Sequence, residues 1–331
     1  MSVNSEGLKT WSAFLGSRKR PSEYEVVTTN LHTRTRHPDQ AYELSPAPLL
    51  PMNVFYQKNV SQSPLQHLNW ELFRDPDEVI YRTYTRMQDG QEEYVDGLLD
   101  EYNGIGHDAS MTADWVASLE RLYTPLRYLM SAFQMGSAYL VQIAPASTIT
   151  ACAGFQEGDD LRWLSRVAYR TRELQIAHPS RGFSKSERKS WEEARVWQGL
   201  RELLERALVA TDWGESFVAL NLVARPTADE ALRQLGRAGR RNDDTLLGLL
   251  IDNQLRDGER SRRWSSAVVR FALEQPSNKI VIANWIQKWM PLANKALDIY
   301  CEDLPDIEGG AKLAQANIEA FHRSLGVLTD T

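Results

Sequence analysis

Residues 128–156, YLMSAFQMGSAYLVQIAPASTITACAGFQ, run for 29 positions without a charged side chain. A bilayer core needs fewer than that. Yet Ser131, Gln134, Ser137, Gln142, Ser147, Thr148, Thr150 and Gln156 are spread through the stretch, and Pro145 interrupts its second half. Polar groups so numerous are unfavourable against lipid and suit packing between helices. The stretch predicts helix buried inside a bundle or at a subunit interface, and no membrane span.

The flanking chain reads as helix after helix. Asp75-Pro76-Asp77-Glu78 combines a cap, a proline at the first helical position and an answering acid, so a helix is predicted from there to about Tyr102. Gly104 and Gly106 supply its stop. The next is predicted from near Thr112 to about Ala144, kinked at Pro125, and a third from Ser147 to Ala177. Ser184-Lys185-Ser186-Glu187 is a capping box opening a helix to Leu208. A short helix from Asp212 to Ala224 should stop at Pro226, with a new capping box at Thr227-Ala228-Asp229-Glu230. Further helices are predicted over 244–274, over 278–301 with a bend at Pro291, and over 311–325. No alternation of β-branched residues and no internal repeat interrupts this pattern. Segments near 30 residues span about 45 Å at 1.5 Å per residue, which points to an all-α, long-helix bundle over 75–331.

Residues 1–74 differ. Seven of the 14 prolines fall at or before Pro76, which argues against regular helix or central strand there. Large apolar side chains nevertheless recur, so the segment predicts an extended N-terminal arm lying on a surface, either its own bundle or another subunit. Trp11, Pro21, Tyr24, Phe55, Tyr56, Trp70 and Phe73 are its candidate interface residues. Gln134, Tyr139 and Gln142 of the uncharged run offer a second candidate contact face.

The net charge of −6 argues against a nucleic-acid footprint. Cys152 and Cys301 are too few for a disulfide framework or a thiolate metal site, and residues 1–20 lack an apolar signal core, so a cytoplasmic setting is expected. Chemistry is hard to find. A carboxylate-bridged dinuclear site in a bundle needs two Glu-x-x-His pairs, and only Glu319-Ala320-Phe321-His322 matches. Neither Gly-x-Ser-x-Gly nor Gly-Lys-Ser/Thr is present. Gly236-Arg237-Ala238-Gly239-Arg240-Arg241 follows no strand and reads as a solvated basic loop. Cys152 reads as a small core residue. Arg256, Arg260, Arg262 and Arg263, interleaved with Asp257 and Glu259, read as a salt-bridged helix face or subunit contact.

Seven blocks carry a resemblance: RKRPSEYEVV (18–27), DPDEVIYRTYTRMQDGQEEYV (75–95), YTPLRYL (123–129), QMGSAYLVQIAPASTIT (134–150), LRWLSRVAYRTREL (161–174), DWGESFVALNLV (212–223) and RRWSSAVV (262–269). Together they resemble the β subunit of the hydroxylase of soluble di-iron multicomponent monooxygenases, in the branch of toluene, alkene and isoprene monooxygenases. The resemblance implies a ferritin-like bundle and a structural role beside an α subunit that alone holds the di-iron centre. In α an Asp-Glu-x-Arg-His pattern occurs twice. The corresponding frames here are placed at Ala168-Tyr169-Arg170-Thr171-Arg172 and Asp257-Gly258-Glu259-Arg260-Ser261. Tyr169, Arg172, Gly258 and Ser261 then stand at ligand positions, and none suits a metal in that role. No catalytic, cofactor or metal residue is expected on this chain.

The implied partners are the α subunit, a small γ subunit and a second β subunit in an (αβγ)₂ hydroxylase, served by an effector protein, a Rieske-type ferredoxin and an NADH reductase. The implied reaction inserts one atom of O₂ into an aromatic or alkene hydrocarbon. The alternative is a free-standing helical-bundle metalloenzyme using Glu319 and His322.

Overall fold

Helix dominates the residues described by the computed structural model, 20–32 and 50–327, and no strand occurs among them. The short helices α1 (Glu23–Thr28) and α2 (Pro51–Tyr56) precede α3 (Tyr81–Gly104), α4 (His107–Ser110) and α5 (Ala113–Leu122). Then follow α6 (Leu126–Ile143), α7 (Ser147–Ala177), α8 (Glu187–Glu193) and α9 (Arg195–Leu208). The chain continues through α10 (Trp213–Phe217), α11 (Arg225–Arg241), α12 (Thr245–Ala272), α13 (Asn278–Glu302) and α14 (Gly310–Ser324). Among the described residues no helix is long and apolar enough to cross a membrane.

The uncharged stretch folds as the antiparallel pair α6 and α7, turned at Ala144-Pro145-Ala146. Leu126, Leu129, Phe133, Leu140, Ile149 and Ala153 are buried in the core shared with α11 and α12, which form the second long pair. Gly136 makes room for the Leu220 side chain, from which a Cβ there would lie only 2.8 Å. Helix α3 lies across α7 and α12, joined to them by Tyr84, Gln88 and Glu92.

Prolines decide where the sequence reading fails. At Pro125 the chain breaks fully, with α5 ending at Leu122 and α6 starting at Leu126. The Arg121 carbonyl, which a residue with an N–H at 125 would have satisfied, accepts instead from Trp197 Nε1 at 2.9 Å. At Pro226 the opposite happens. The predicted stop is absent, because Val218–Ala224 is a π-helical segment that carries α10 into α11 without interruption. Its wider turn accommodates the ring. The Leu222 carbonyl, four residues before the proline, accepts from His322 Nε2 at 2.6 Å. Thr227 caps nothing, and its hydroxyl donates back to the Val223 carbonyl at 2.7 Å.

Three other expectations are corrected. The Asp75 carboxylate accepts from the backbone N–H of Asp77 and Val79, both at 3.0 Å, so it closes a turn and the helix begins only at Tyr81. At the Ser184 box only half forms. The Ser184 N–H donates to Glu187 Oε1 at 2.6 Å, but Ser184 sits at φ +64° and Ser186 takes the cap position. The glycine–arginine segment 236–241 is no loop, being the last turns of α11.

In the arm, Val60, Leu65 and Phe73 are buried in the bundle core, while Phe55, Tyr56 and Trp70 pack against it half-buried. Trp70 meets Trp213 edge-on with centroids 4.9 Å apart. The Asp75 N–H donates to the buried Tyr24 hydroxyl at 2.9 Å.

Candidate functional site

The Glu319–His322 pair does not assemble a site. Glu319 is 58% exposed at its side chain and faces Arg323 at 3.7 Å. His322 is buried, and its Nε2–H is committed to the Leu222 carbonyl. Burial keeps its imidazole below the usual pKa, with the carbonyl contact working against that shift. Spacing of three residues put both on one helix, but the helix turns one inward and the other to solvent.

The polar centre of the molecule lies elsewhere, between α7 and α12. Asp159 and Asp257 face each other there, and each takes its cation from the other's helix. Arg162 of α7 donates to Asp257 at 2.8 Å, and Arg260 of α12 donates to Asp159. Gln88 of α3 bridges the two carboxylates at 2.6 and 3.1 Å. Tyr84 adds a donor to Asp159 at 3.0 Å, and Trp163 Nε1 one to Asp257 at 2.9 Å. Burial, and then repulsion from Asp257, raises the Asp159 carboxyl to about 7, with Arg260 opposing.

At the next position of α7, Asp160 holds Arg225 in a two-pronged pair, both contacts at 2.8 Å. The guanidinium lies over the Phe133 ring with its carbon 4.6 Å from the centroid. Ser137 also donates to Asp160 at 2.8 Å, and Gln156, Asn221 and Ser265 continue the network. Asp229, buried and raised by that burial, accepts from Arg262 at 3.2 Å. Gly258 leaves room for it, since a Cβ there would lie 2.8 Å from the Asp229 carboxylate.

These contacts correct the first of the two frames. Arg170 pairs with Asp108 and Glu173, and Tyr169 is exposed, so residues 168–172 do not face 257–261. Asp159-Asp160-Leu161-Arg162-Trp163 does. The signal was present in the sequence, because Asp-x-x-Arg recurs at 159/162 and 257/260. Both frames keep the aspartate and arginine, while Asp160 and Trp163, and Gly258 and Ser261, stand where the pattern has its glutamate and histidine. Asp160, Arg225 and Asp229 were missed because helices distant in sequence bring them together.

A dinuclear centre does not fit this arrangement. No histidine lines the cavity beside Asp160, Asp229 and Ser261, and its volume of about 20 Å³ suits a single water. Each aspartate already has a guanidinium partner, so the positive charge that metal ions would bring is supplied by arginine. Among the described residues no group of His, Cys, Asp and Glu side chains is arranged to hold a metal ion.

The candidate interface residues are dispersed. Trp11 lies outside the described residues, and Pro21 is half-buried. Tyr24 and Phe73 are buried within their own chain, which leaves them no surface for a partner. Phe55, Tyr56 and Trp70 keep partial exposure. Gln134 donates to Glu157 at 2.7 Å, Tyr139 donates to the Thr211 carbonyl at 2.6 Å, and Gln142 is exposed.

Comparison with known proteins agrees with this architecture. The family model for methane/phenol/alkene hydroxylases matches residues 53–276. The β subunit of the toluene-4-monooxygenase hydroxylase component of Ectopseudomonas mendocina is 50% identical over 294 residues, covering 88% of this chain and 89% of the relative. A phenol 2-monooxygenase oxygenase component of Pseudomonas sp. (strain CF600) is 25% identical over 293 residues, covering 85% and 81%. A chain in a structure of toluene 4-monooxygenase, with toluene bound in the resting active site, superposes with a TM-score of 0.85 at 48% identity, covering 92% of this chain and 99% of that one. These likenesses place the chain in the methane/phenol/alkene hydroxylase family, among the β subunits of multicomponent monooxygenase hydroxylases.

Proposed function

We propose that this chain is the non-catalytic scaffold of its hydroxylase, with the di-iron centre carried by the partner α subunit and none on this chain. The observation that carries the reading is the Asp160–Arg225 pair. A guanidinium cannot give up its proton to ligate, and here it occupies both oxygens of the one buried carboxylate that stands at a ligand position of the pattern. The Asp/Arg frames then do structural work, locking α7 to α12 across the centre of the bundle.

The assembly is an (αβγ)₂ hydroxylase in the cytoplasm, supplied with electrons by an NADH reductase through a Rieske-type ferredoxin and adjusted by an effector protein. Its substrate is an aromatic hydrocarbon of the toluene class, a reading supported by the relative that is 50% identical. The iron supplies the oxygen chemistry on α, and this chain holds α in its working shape.

Reconstitution tests it. The α and γ subunits with ferredoxin, reductase and effector should oxidise toluene at the expense of NADH only when this chain is co-expressed. Iron content should follow α, and Asp160→Asn should leave iron per assembled complex unchanged. Turnover by this chain without α, or loss of half the iron on Asp160→Asn, contradicts the proposal.

A further inference from the structure

The cavity of about 20 Å³ at the centre of the bundle draws its polar wall from three long helices. Asp159 and Asp160 come from α7, Arg225 and Asp229 from α11, and Gln254, Asp257 and Ser261 from α12. Most of that wall is already committed. Both oxygens of Asp159, of Asp160 and of Asp257 accept hydrogen bonds from other side chains. Four groups keep unused capacity. The buried Arg225 Nε–H has no partner, although both Nη atoms of the same guanidinium donate to Asp160. Asp229 accepts from Arg262 through Oδ2, and among the described residues nothing donates to its Oδ1. Gln254 donates from Nε2 to Met130 Sδ at 3.4 Å, and among the described residues its Oε1 accepts from nothing. The Ser261 hydroxyl is likewise without a partner among them. All four residues are at most 8% exposed, so bulk solvent does not serve these groups. Polar groups so deeply buried are unfavourable unless they are paired.

The unused groups choose the occupant. Arg225 Nε–H and the Ser261 hydroxyl offer two donors, and Asp229 Oδ1 and Gln254 Oε1 offer two acceptors. An alkali or ammonium ion would satisfy the acceptors and be repelled by the guanidinium. A halide would satisfy the donors and be repelled by Asp229. Water donates twice and accepts twice, and one molecule needs at least about 10–15 Å³ of such space. We propose that this cavity is the binding site of a single water molecule, which accepts from Arg225 and Ser261 and donates to Asp229 and Gln254. The water then ties α11 to α12 and, through the Arg225–Asp160 pair, both of them to α7. It acts as a structural ligand, completing a polar network that the side chains alone leave open. The inference is independent of the subunit reading, because it uses this chain's own side chains only.

High-resolution crystals of the assembled hydroxylase test it, with parallel soaks in rubidium and in bromide. The parent chain should show one density peak in the cavity, about 2.7–3.2 Å from each of the four groups. Neither soak should give that peak an anomalous signal. A rubidium signal would mean a cation site, a bromide signal an anion site, and no peak a dry cavity, and each overturns the proposal. Ser261→Ala and Ser261→Val supply a second measurement. Alanine leaves room for the water, so the peak should stay. Valine fills the space, so the peak should vanish and the melting temperature should fall at least about 2 °C below that of the alanine variant. An equal or higher melting temperature for Ser261→Val would mean that its methyl groups fill an apolar void, which also overturns the proposal. Should Ser261→Val fail to fold, the density of the parent chain decides alone.

Discussion

Arg225 and His322 show how much a single buried side chain decides here. Among the described residues Arg225 is the one cation paired with Asp160, and it sits in the protein interior against Phe133. Replacing it by methionine keeps the volume but leaves a buried carboxylate unpaired, at a cost of about 3–5 kcal/mol. Chemical denaturation of the variant should show that loss, and an added Asp160→Asn should recover part of it. His322 was legible as a histidine three residues after a glutamate, and nothing more. Its role as donor to the Leu222 carbonyl depends on a contact 100 residues away in sequence. His322→Ala should cost about 1–3 kcal/mol, the penalty of one buried polar group left unmade. Because burial lowers the folded-state pKa below the ordinary 6.5, the neutral form is favoured. Its contribution is therefore complete above that pH and declines as pH falls toward the folded value. A His322→Gln chain should lose this acid-side decline, as melting temperatures from pH 7.5 to 5 would reveal.

At the scale of elements, the sequence was read well where punctuation and pattern agree. Helix α7 was expected over 147–177 and spans Ser147–Ala177, because Pro145 and Pro179 bracket an unbroken helical pattern. It was read badly where a proline's effect depends on distant partners. Pro125 ends a helix it was expected only to bend, while Pro226 lies within a helix it was expected to end. In both cases the carbonyl four residues before the proline is satisfied by a side chain far along the chain, Trp197 or His322. What separates them is the π-helical turn before Pro226, which no propensity argument foresees. Pro226→Ala restores a backbone N–H beside the Leu222 carbonyl. Its effect should thus couple to that of His322→Ala by about 0.5–3 kcal/mol in a double-mutant cycle. Additive effects would mean the histidine does not serve the proline's missing bond.

Over the whole molecule, the all-α bundle was legible from capping signals and long periodic segments, and the subunit role from the resemblance of seven blocks. The centre was not legible. Its Asp-x-x-Arg frames lie on α7 and α12, about 100 residues apart, and Arg225 and Asp229 arrive from α11. Only the folded chain shows that these groups neutralise one another at the centre of the bundle. The central proposal is that these pairs stand in place of a metal centre on this chain, and anomalous scattering at the iron edge from crystals of the assembled hydroxylase tests it most directly. Iron peaks should lie within the α subunit, with none among Asp159, Asp160, Asp229 and Asp257 of this chain. An iron peak among those four carboxylates would contradict the account.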